Sequence, residues 1–258
     1  MTCAFSPKQN YLLAALPDSE YQILFPDLDA VDMPLGKVLH DSGKAIDNVY
    51  FPITSIVALM YVTESGSTTE VGLVGKSGVV GVSSYMGGDS TTCRSVVQCA
   101  GRGFRLNARI LKARFDKAGP LMHVFLRYTQ ALITQMGQTA ACNRHHSLDQ
   151  QICRWLLMSL DRSYGRELLM TQEVIANNLG VRREGVTETA LKLQKAGLIR
   201  YARGHIEVLD RQGLEERSCE CYKVVRAEYD RLLPALKGAG TPQRYLPMSS
   251  TGRVAVFT

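Results

Sequence analysis

The sequence predicts an α+β chain in three consecutive parts: a β-roll of the jelly-roll type, a long helix, and a unit of short helices closed by a β-hairpin. Three observations carry this. Short β-branched and aromatic runs, separated by turn clusters, fill the chain up to residue 107. A proline-free stretch then runs from Leu121 to Cys142 with a helical apolar repeat. Finally, a helix, a glycine, a second helix and a hairpin are spelled out between Met170 and Asp210. The corresponding segments are 1–118, 119–146 and 147–233, followed by a Gly/Pro/Ser-containing tail, 234–258, expected to be flexible.

In the first part, Asn48–Phe51, Ile56–Val62 and Glu70–Val74 read as strands, and Ser95–Cys99 and Gly103–Leu106 continue the series. Pro52, Glu64-Ser65-Gly66-Ser67 and Gly75-Lys76-Ser77-Gly78 supply the turns between them. Many short, closely spaced strands favour a roll or sandwich. The opening stretches Asn10–Leu16 and Asp18–Phe25 read as short helices against that unit.

After a short helix at Ala108–Lys117, stopped by Gly119-Pro120, the long helix begins. Leu121, Phe125, Tyr128, Leu132, Gln135, Thr139 and Cys142 recur at alternating spacings of four and three, a heptad seam. Such a stripe fits either a helix packed on its own domain or a seam between two chains; the order of the elements favours the two-chain seam. Ser147 then caps a helix from Leu148 to Asp161 with Leu148, Ile152, Trp155, Leu156 and Leu160 on its apolar face.

In the last part, Thr171 caps a helix bearing Val174, Ile175 and Leu179, and Gly180 supplies the left-handed residue that a tight turn needs. The second helix opens at Arg182 or Arg183, with Val186, Ala190, Leu191 and Leu193 as its expected buried stripe. Leu198–Ala202 and His205–Leu209 flank Arg203-Gly204 as a hairpin with a basic tip. This is the winged helix-turn-helix pattern, in which the second helix enters the major groove of DNA.

Charge sharpens that reading only when it is resolved along the chain. The 258 residues carry 30 basic and 24 acidic side chains, a net +6, half of it in the tail. Residues 182–205, however, hold Arg182, Arg183, Lys192, Lys195, Arg200 and Arg203 against Glu184 and Glu188, a local +4 masked by the acidic segment 206–230. Arginine can pair bidentately with guanine and glutamate can accept from cytosine N4. Arg182, Arg183, Glu184 and Glu188 are therefore the candidates for base contact. Thr171, Arg200, Arg203 and His205 are better placed for phosphates.

Thr171-Gln172-Glu173 with Ile175-Ala176, followed by Gly180-Val181-Arg182-Arg183-Glu184-Gly185-Val186-Thr187, resembles the C-terminal signature of the Crp/Fnr family of bacterial transcription regulators. The resemblance covers most of the chain. It implies a cyclic-nucleotide-binding-type β-roll, a dimerisation helix and a winged helix-turn-helix. It also implies homodimers on inverted-repeat operators, contact with RNA polymerase, and Arg183 and Glu184 as the base-reading pair. Glu188 departs from the pattern, since members usually carry a second base-reading arginine there; the usual operator consensus is thereby in doubt.

The sensor signature departs further. Where nucleotide-binding members place Gly-Glu for the ribose, this chain reads Gly78-Val79-Val80-Gly81-Val82-Ser83, and Thr91-Thr92 stand at the Arg-Ser/Thr position, with Arg94 slightly late. A buried cyclic phosphate needs a fixed cation and amide donors. Gly78, Gly81, Ser83, Thr91, Thr92 and Arg94 are thus the candidate effector pocket, for a small molecule other than cyclic AMP or for none.

Metal and cofactor chemistry find little support in the spacing. The seven cysteines form no CxxC pair and suit a reducing cytoplasm. The several clustered N-terminal cysteines of iron–sulfur members are missing, and no His or Cys stands out for haem. Cys219-Glu220-Cys221 reads as part of a helix, on which the two thiols point away from each other, and Cys142 with His145 and His146 reads as helix-end packing or solvation rather than as a ligand set. No cofactor or metal is expected. Gly72-Leu73-Val74-Gly75-Lys76-Ser77 is two residues short of a phosphate-binding loop, and Gly81-Val82-Ser83-Ser84-Tyr85 lacks the second glycine of a nucleophile elbow, so an enzyme is disfavoured. No run of ~18 apolar residues offers a membrane span, and no secretory leader is legible, so a cytoplasmic location is expected. The reading is a homodimeric, sequence-specific DNA-binding regulator; its rival is an effector-binding module acting through protein contacts alone.

Overall fold

The computed structural model describes residues 5–164 and 167–233. Cys3 and the tail from residue 234, expected to be flexible, lie outside the described residues.

Two short helices open the chain, α1 (Tyr11–Ala14) and α2 (Asp18–Leu24). Asn10 caps α1 by accepting from Leu12 and Leu13 N–H, and its amide donates to the carbonyls of Pro52 (2.8 Å) and Gly78 (2.9 Å). A fully buried asparagine thus binds the helix to two loops of the roll. Strands β1 (Asp29–Met33), β2 (Val38–His40), β3 (Asn48–Pro52), β4 (Ile56–Val62), β5 (Thr68–Val74), β6 (Arg94–Cys99) and β7 (Gly101–Asn107) follow. They form two antiparallel sheets, ordered β1-β7-β3 and β2-β6-β4-β5. Strands β1 and β2 go beyond those predicted; β1 has only one buried residue and so lacks the alternation that marks a half-buried strand.

The inner faces of both sheets share one core, in which Phe51 stands opposite Phe104 and Val49 opposite Leu106. Strand β4 buries five consecutive residues, Ile56–Met60, although it belongs to an antiparallel roll. Period-two alternation explains this. Val57 and Leu59 face the roll core, whereas Ile56, Ala58 and Met60 join a second core with Trp155, Ile175 and Leu179. The outer face of the four-stranded sheet is the seat of the C-terminal unit.

Helix α3 (Ala108–Phe115) leads to α4 (Pro120–His145), which starts with proline at its first position, where the missing N–H costs nothing. The heptad stripe does not form a free seam. Leu121, Phe125, Tyr128, Leu132, Gln135, Thr139 and Cys142 are all buried within the chain. The Tyr128 hydroxyl donates to Val79 O (3.1 Å) and the Gln135 amide to Leu73 O (3.2 Å), while the Thr129 and Tyr85 hydroxyls pair at 2.9 Å. The expected two-chain seam is therefore corrected: heptad spacing marks a buried stripe, and the roll itself supplies the cover, together with a last helix. Gly78 shows how close the approach is, since a Cβ there would lie 2.5 Å from the Tyr128 ring.

The C-terminal unit comprises α5 (Leu148–Arg162), β8 (Glu167–Leu169), α6 (Gln172–Leu179), α7 (Arg183–Lys195), β9 (Ile199–Ala202), β10 (His205–Val208), α8 (Arg211–Arg217) and α9 (Glu220–Leu232). A capping box, Ser147 with Gln150, starts α5. Residues 151–160 of α5 are all buried because the helix lies between the roll and the remaining helices. In α7 the buried stripe is Val186, Thr189, Ala190 and Leu193. Leu191, expected in it, is 52% exposed because it lies one position past the stripe. Helix α9 turns back along α4, where Tyr229 meets Tyr128 with ring centroids 6.5 Å apart and donates to Gln135 Oε1 (3.4 Å).

Buried polar groups join the two units. Trp155 Nε1 donates to Glu70 Oε2 (3.1 Å), Gln98 Nε2 to Asn178 Oδ1 (2.6 Å), and Arg162 to Leu73 O (2.9 Å) and to Gln135. Burial pushes the Glu70 carboxyl up to about 7, against the opposing pull of Trp155, Arg154 and Arg162. Among the described residues, no helix is long and apolar enough to cross a membrane.

Candidate nucleic-acid interface

Helix α6 is held open at its start by Thr171, whose hydroxyl accepts from Val174 N–H, and is ended by Gly180 at φ +65°, a left-handed conformation that glycine adopts without strain. The chain turns within three residues, and α7 begins at Arg183 with Arg182 in the extended N-cap position. The Thr187 hydroxyl donates to Gln172 Oε1 (2.7 Å) and so fixes the angle between the two helices. Gln172 is not among the expected site residues, although it stands in the Thr171-Gln172-Glu173 stretch that carries the resemblance.

The first turns of α7 point their polar side chains outward. Arg182, Arg183, Glu184 and Glu188 are all exposed. Glu188 pairs with Lys192 one turn on (3.0 Å), so the acidic residue at the unusual position is partly satisfied by its own helix. Strands β9 and β10 form the hairpin, with β8 on the other side of β10. Arg203 (φ +51°) and Gly204 (φ +81°) are both left-handed, as the two central residues of a type I′ hairpin turn must be. The arginine is thus held at the tip, exposed. Arg200 differs: it lies opposite Glu207 in the hairpin register and pairs with it at 3.2 Å, which offsets the charge assigned to a phosphate. His205 is exposed at the start of β10.

Thr171, Gln172, Glu173, Arg183, Tyr201, Arg203 and Gly204 line one cleft of ≈ 470 Å³ between the start of α6, the start of α7 and the wing. Three residues expected at the interface, Thr171, Arg183 and Arg203, therefore converge from separate elements. Tyr201, which the sequence does not mark, donates to Met170 O (2.9 Å), and burial pushes its hydroxyl up to about 12, so it stays a neutral phenol. The Arg203 guanidinium, the Thr171 hydroxyl and the N-terminus of α6 offer donors suited to phosphate oxygens, and Arg183 reaches the same cleft from the start of α7, with the Glu173 carboxylate beside them.

Residues 150–217 match the Crp-like helix-turn-helix domain. The chain carries a Crp-like helix-turn-helix domain. Solved structures agree on the fold around it. A Crp/Fnr-family transcriptional regulator from Eubacterium rectale superposes with a TM-score of 0.62 at 18% identity, covering 81% of this chain and 98% of its own. FixK2 from Bradyrhizobium japonicum gives 0.65 at 14%, over 74% and 98%. CLP of Xanthomonas campestris, described as a c-di-GMP responsive global regulator, gives 0.60 at 14%, over 74% and 99%. No curated protein matches significantly. The overall fold is thus shared with these structures, and the matched helix-turn-helix domain occupies residues 150–217 of it.

The N-terminal roll holds a second cavity, ≈ 280 Å³, between the four-stranded sheet, the Gly81 turn and α4. Gly81, Ser83, Thr91 and Thr92 line it, as expected, together with His40, Tyr61, Cys93, Leu132, Ile133 and Met136. Gly78 and Arg94 do not. Gly78 is pressed against Tyr128, and Arg94 pairs with Asp41 at 3.2 Å. Among the described residues lining the cavity there is no lysine or arginine. His40 Nε2 donates to Asn48 O (2.7 Å), and desolvation lowers its pKa, which favours the neutral ring. The cavity is thus apolar and uncharged where a cyclic phosphate would need a cation.

One sequence inference about the cysteines is overturned. Cys219 is the N-cap of α9 with extended backbone, so the helical angle that separates it from Cys221 does not apply. Cys142, His146, Cys219 and Cys221 converge with their ligand atoms all within 4.8 Å of one another.

Proposed function

We propose that the chain is a homodimeric, sequence-specific DNA-binding transcription regulator. The observation that carries this is the convergence of Thr171, Arg183 and Arg203 on one cleft beside the exposed start of α7. In this reading Arg183 and Glu184 contact base edges, with Arg182 flanking. Thr171, Arg203 and His205 contact phosphates. Glu188 and Arg200, already paired with Lys192 and Glu207, contribute less.

The protomers pair through the side of α4 that its own chain leaves open. Leu126, Gln130, Ile133, Gly137 and Ala140 repeat there at spacings of four and three, and all are exposed. Leu126 is 42% and Ile133 53% exposed, two turns apart on this one face. Gly137 has open space around a would-be Cβ, which lets a second helix approach closely. Two recognition helices then reach half-sites about one DNA turn apart on an inverted repeat, and a regulator of this kind meets RNA polymerase at the promoter. An effector for the ≈ 280 Å³ cavity would be small, predominantly apolar and without a phosphate.

Binding to a selected operator and to random DNA, measured by fluorescence anisotropy over a range of salt, tests the reading. Arg183→Ala should cost about 1–3 kcal/mol on the operator and relax specificity at one base pair. Arg203→Ala should weaken all sequences evenly and reduce the salt slope by about one. Equal factors for both variants on both DNAs would refute the assignment.

A further inference from the structure

We propose that Cys142, His146, Cys219 and Cys221 form a four-coordinate site for a zinc-class divalent cation, clamping the end of α4 to the start of α9. Three thiols and one imidazole are the donor set of a structural zinc site. The spacing fits as well. A tetrahedral zinc ion with ordinary Zn–S and Zn–N bonds sets sulfur–sulfur edges of about 3.8 Å and sulfur–nitrogen edges of about 3.5 Å. Here the sulfurs of Cys142 and Cys219 lie 3.5 Å apart, and Cys221 Sγ lies 3.6 Å from His146 Nδ1. All three cysteines are free thiols and buried.

The surroundings match a metal site beyond the four ligands. His146 turns Nδ1 to the thiols, while its Nε2 lies 3.2 Å from Glu220 Oε1. A carboxylate on the far nitrogen fixes the ring and its tautomer, as it does behind metal-bound histidines. Three thiolates around a divalent ion leave one excess negative charge. The Arg154 guanidinium, 2% exposed, stands near enough to act electrostatically on Cys142 and Cys221, and its Nε has no hydrogen-bond partner among the described residues. A buried cation without full pairing is costly unless an anionic group answers it. Sulfur-rich ligation selects zinc over magnesium or calcium. The first ligand pair ends the long helix and the second opens α9, so the ion would tie together the two ends of the DNA-reading unit.

The test uses the full-length chain, purified with reduced thiols, analysed for metal content and then stripped and titrated with cobalt(II) and zinc(II). The expected result is one zinc per chain, and for cobalt a tetrahedral d–d spectrum with thiolate-to-metal charge transfer. Cys219→Ser and Cys221→Ser should each weaken zinc at least about a hundredfold, Glu220→Gln about tenfold, and Cys93→Ser, in the roll, not at all. His146→Gln, at a partly exposed helix end, should keep the far-UV dichroism of the parent while losing affinity. No uptake by the reduced protein would overturn the proposal. So would an octahedral or sulfur-free cobalt spectrum, unchanged binding in His146→Gln, or oxidation to a Cys142–Cys219 disulfide as the only chemistry of the cluster.

Discussion

Replacing Glu70 with glutamine should stabilise the protein, and only above acid pH. Glu70 is 5% exposed, seated between β5 and α5, and burial lifts its carboxyl from 4.5 to about 7. The native chain therefore holds a proton that the unfolded chain sheds as pH rises from 4.5 to 7, so this group's contribution falls through that window and levels off above it. The difference corresponds to at most about 3 kcal/mol. The glutamine keeps a carbonyl for the Trp155 indole N–H, now 3.1 Å from the carboxylate, and removes the charge. Glu70→Gln should then gain nothing at pH 4.5 and up to about 3 kcal/mol at pH 8, a rise in Tm of roughly 6–12 °C for a chain of this size. Guanidinium unfolding at both pH values, followed by far-UV dichroism and by the fluorescence of the only tryptophan, reads the effect. A gain of equal size at pH 4.5 and pH 8 would refute the reasoning, because the effect would then lie in packing rather than in ionisation.

Two further outcomes follow from close contacts and open faces. Gly78→Ala would push a methyl group to 2.5 Å from Tyr128 and disturb its bond to Val79; a loss of about 1–3 kcal/mol in urea unfolding is expected, and an unchanged midpoint would mean that the roll yields more easily than its packing indicates. Ile133→Glu should give a folded monomer in sedimentation velocity, whereas Leu132→Glu, at a side chain 4% exposed, should unfold the chain; a dimeric Ile133→Glu would move the pairing face elsewhere.

The sequence made the interface helices legible because their signals are local. A threonine cap, a glycine at φ +65° and an arginine-glycine hairpin tip each act within a few residues, and each stands where expected. The stripe on α4 is equally legible as buried, but not what buries it, because a heptad repeat carries no information about the identity of the cover. The open face at Leu126 and Ile133 is hidden in the sequence because glycine, alanine and glutamine dilute its repeat. The cleft residues Gln172 and Tyr201 depend on the angle between elements, which no window of sequence holds. Cys219 and Cys221 escape a helical reading for a backbone reason: one residue of non-helical conformation at a cap changes the direction of a side chain altogether. Strand β4 shows the same limit, since its unbroken burial arises from two cores that lie on opposite faces of one sheet.

The docking of α9 on α4 has a consequence for the order in which the molecule can be made. Cys142 and Cys219 are 77 positions apart in the chain yet touch in the folded protein. A ribosome must therefore deliver the whole helix-turn-helix domain before the Tyr128, Gln135 and Cys142 side of the long helix receives its cover from Tyr229 and its neighbours. Domains generally fold as units, N-terminal first, as they emerge, and contacts between distant residues come late. The nascent chain thus carries a half-covered helix through the synthesis of the domain that follows it, and α9 completes the cover that the described residues provide.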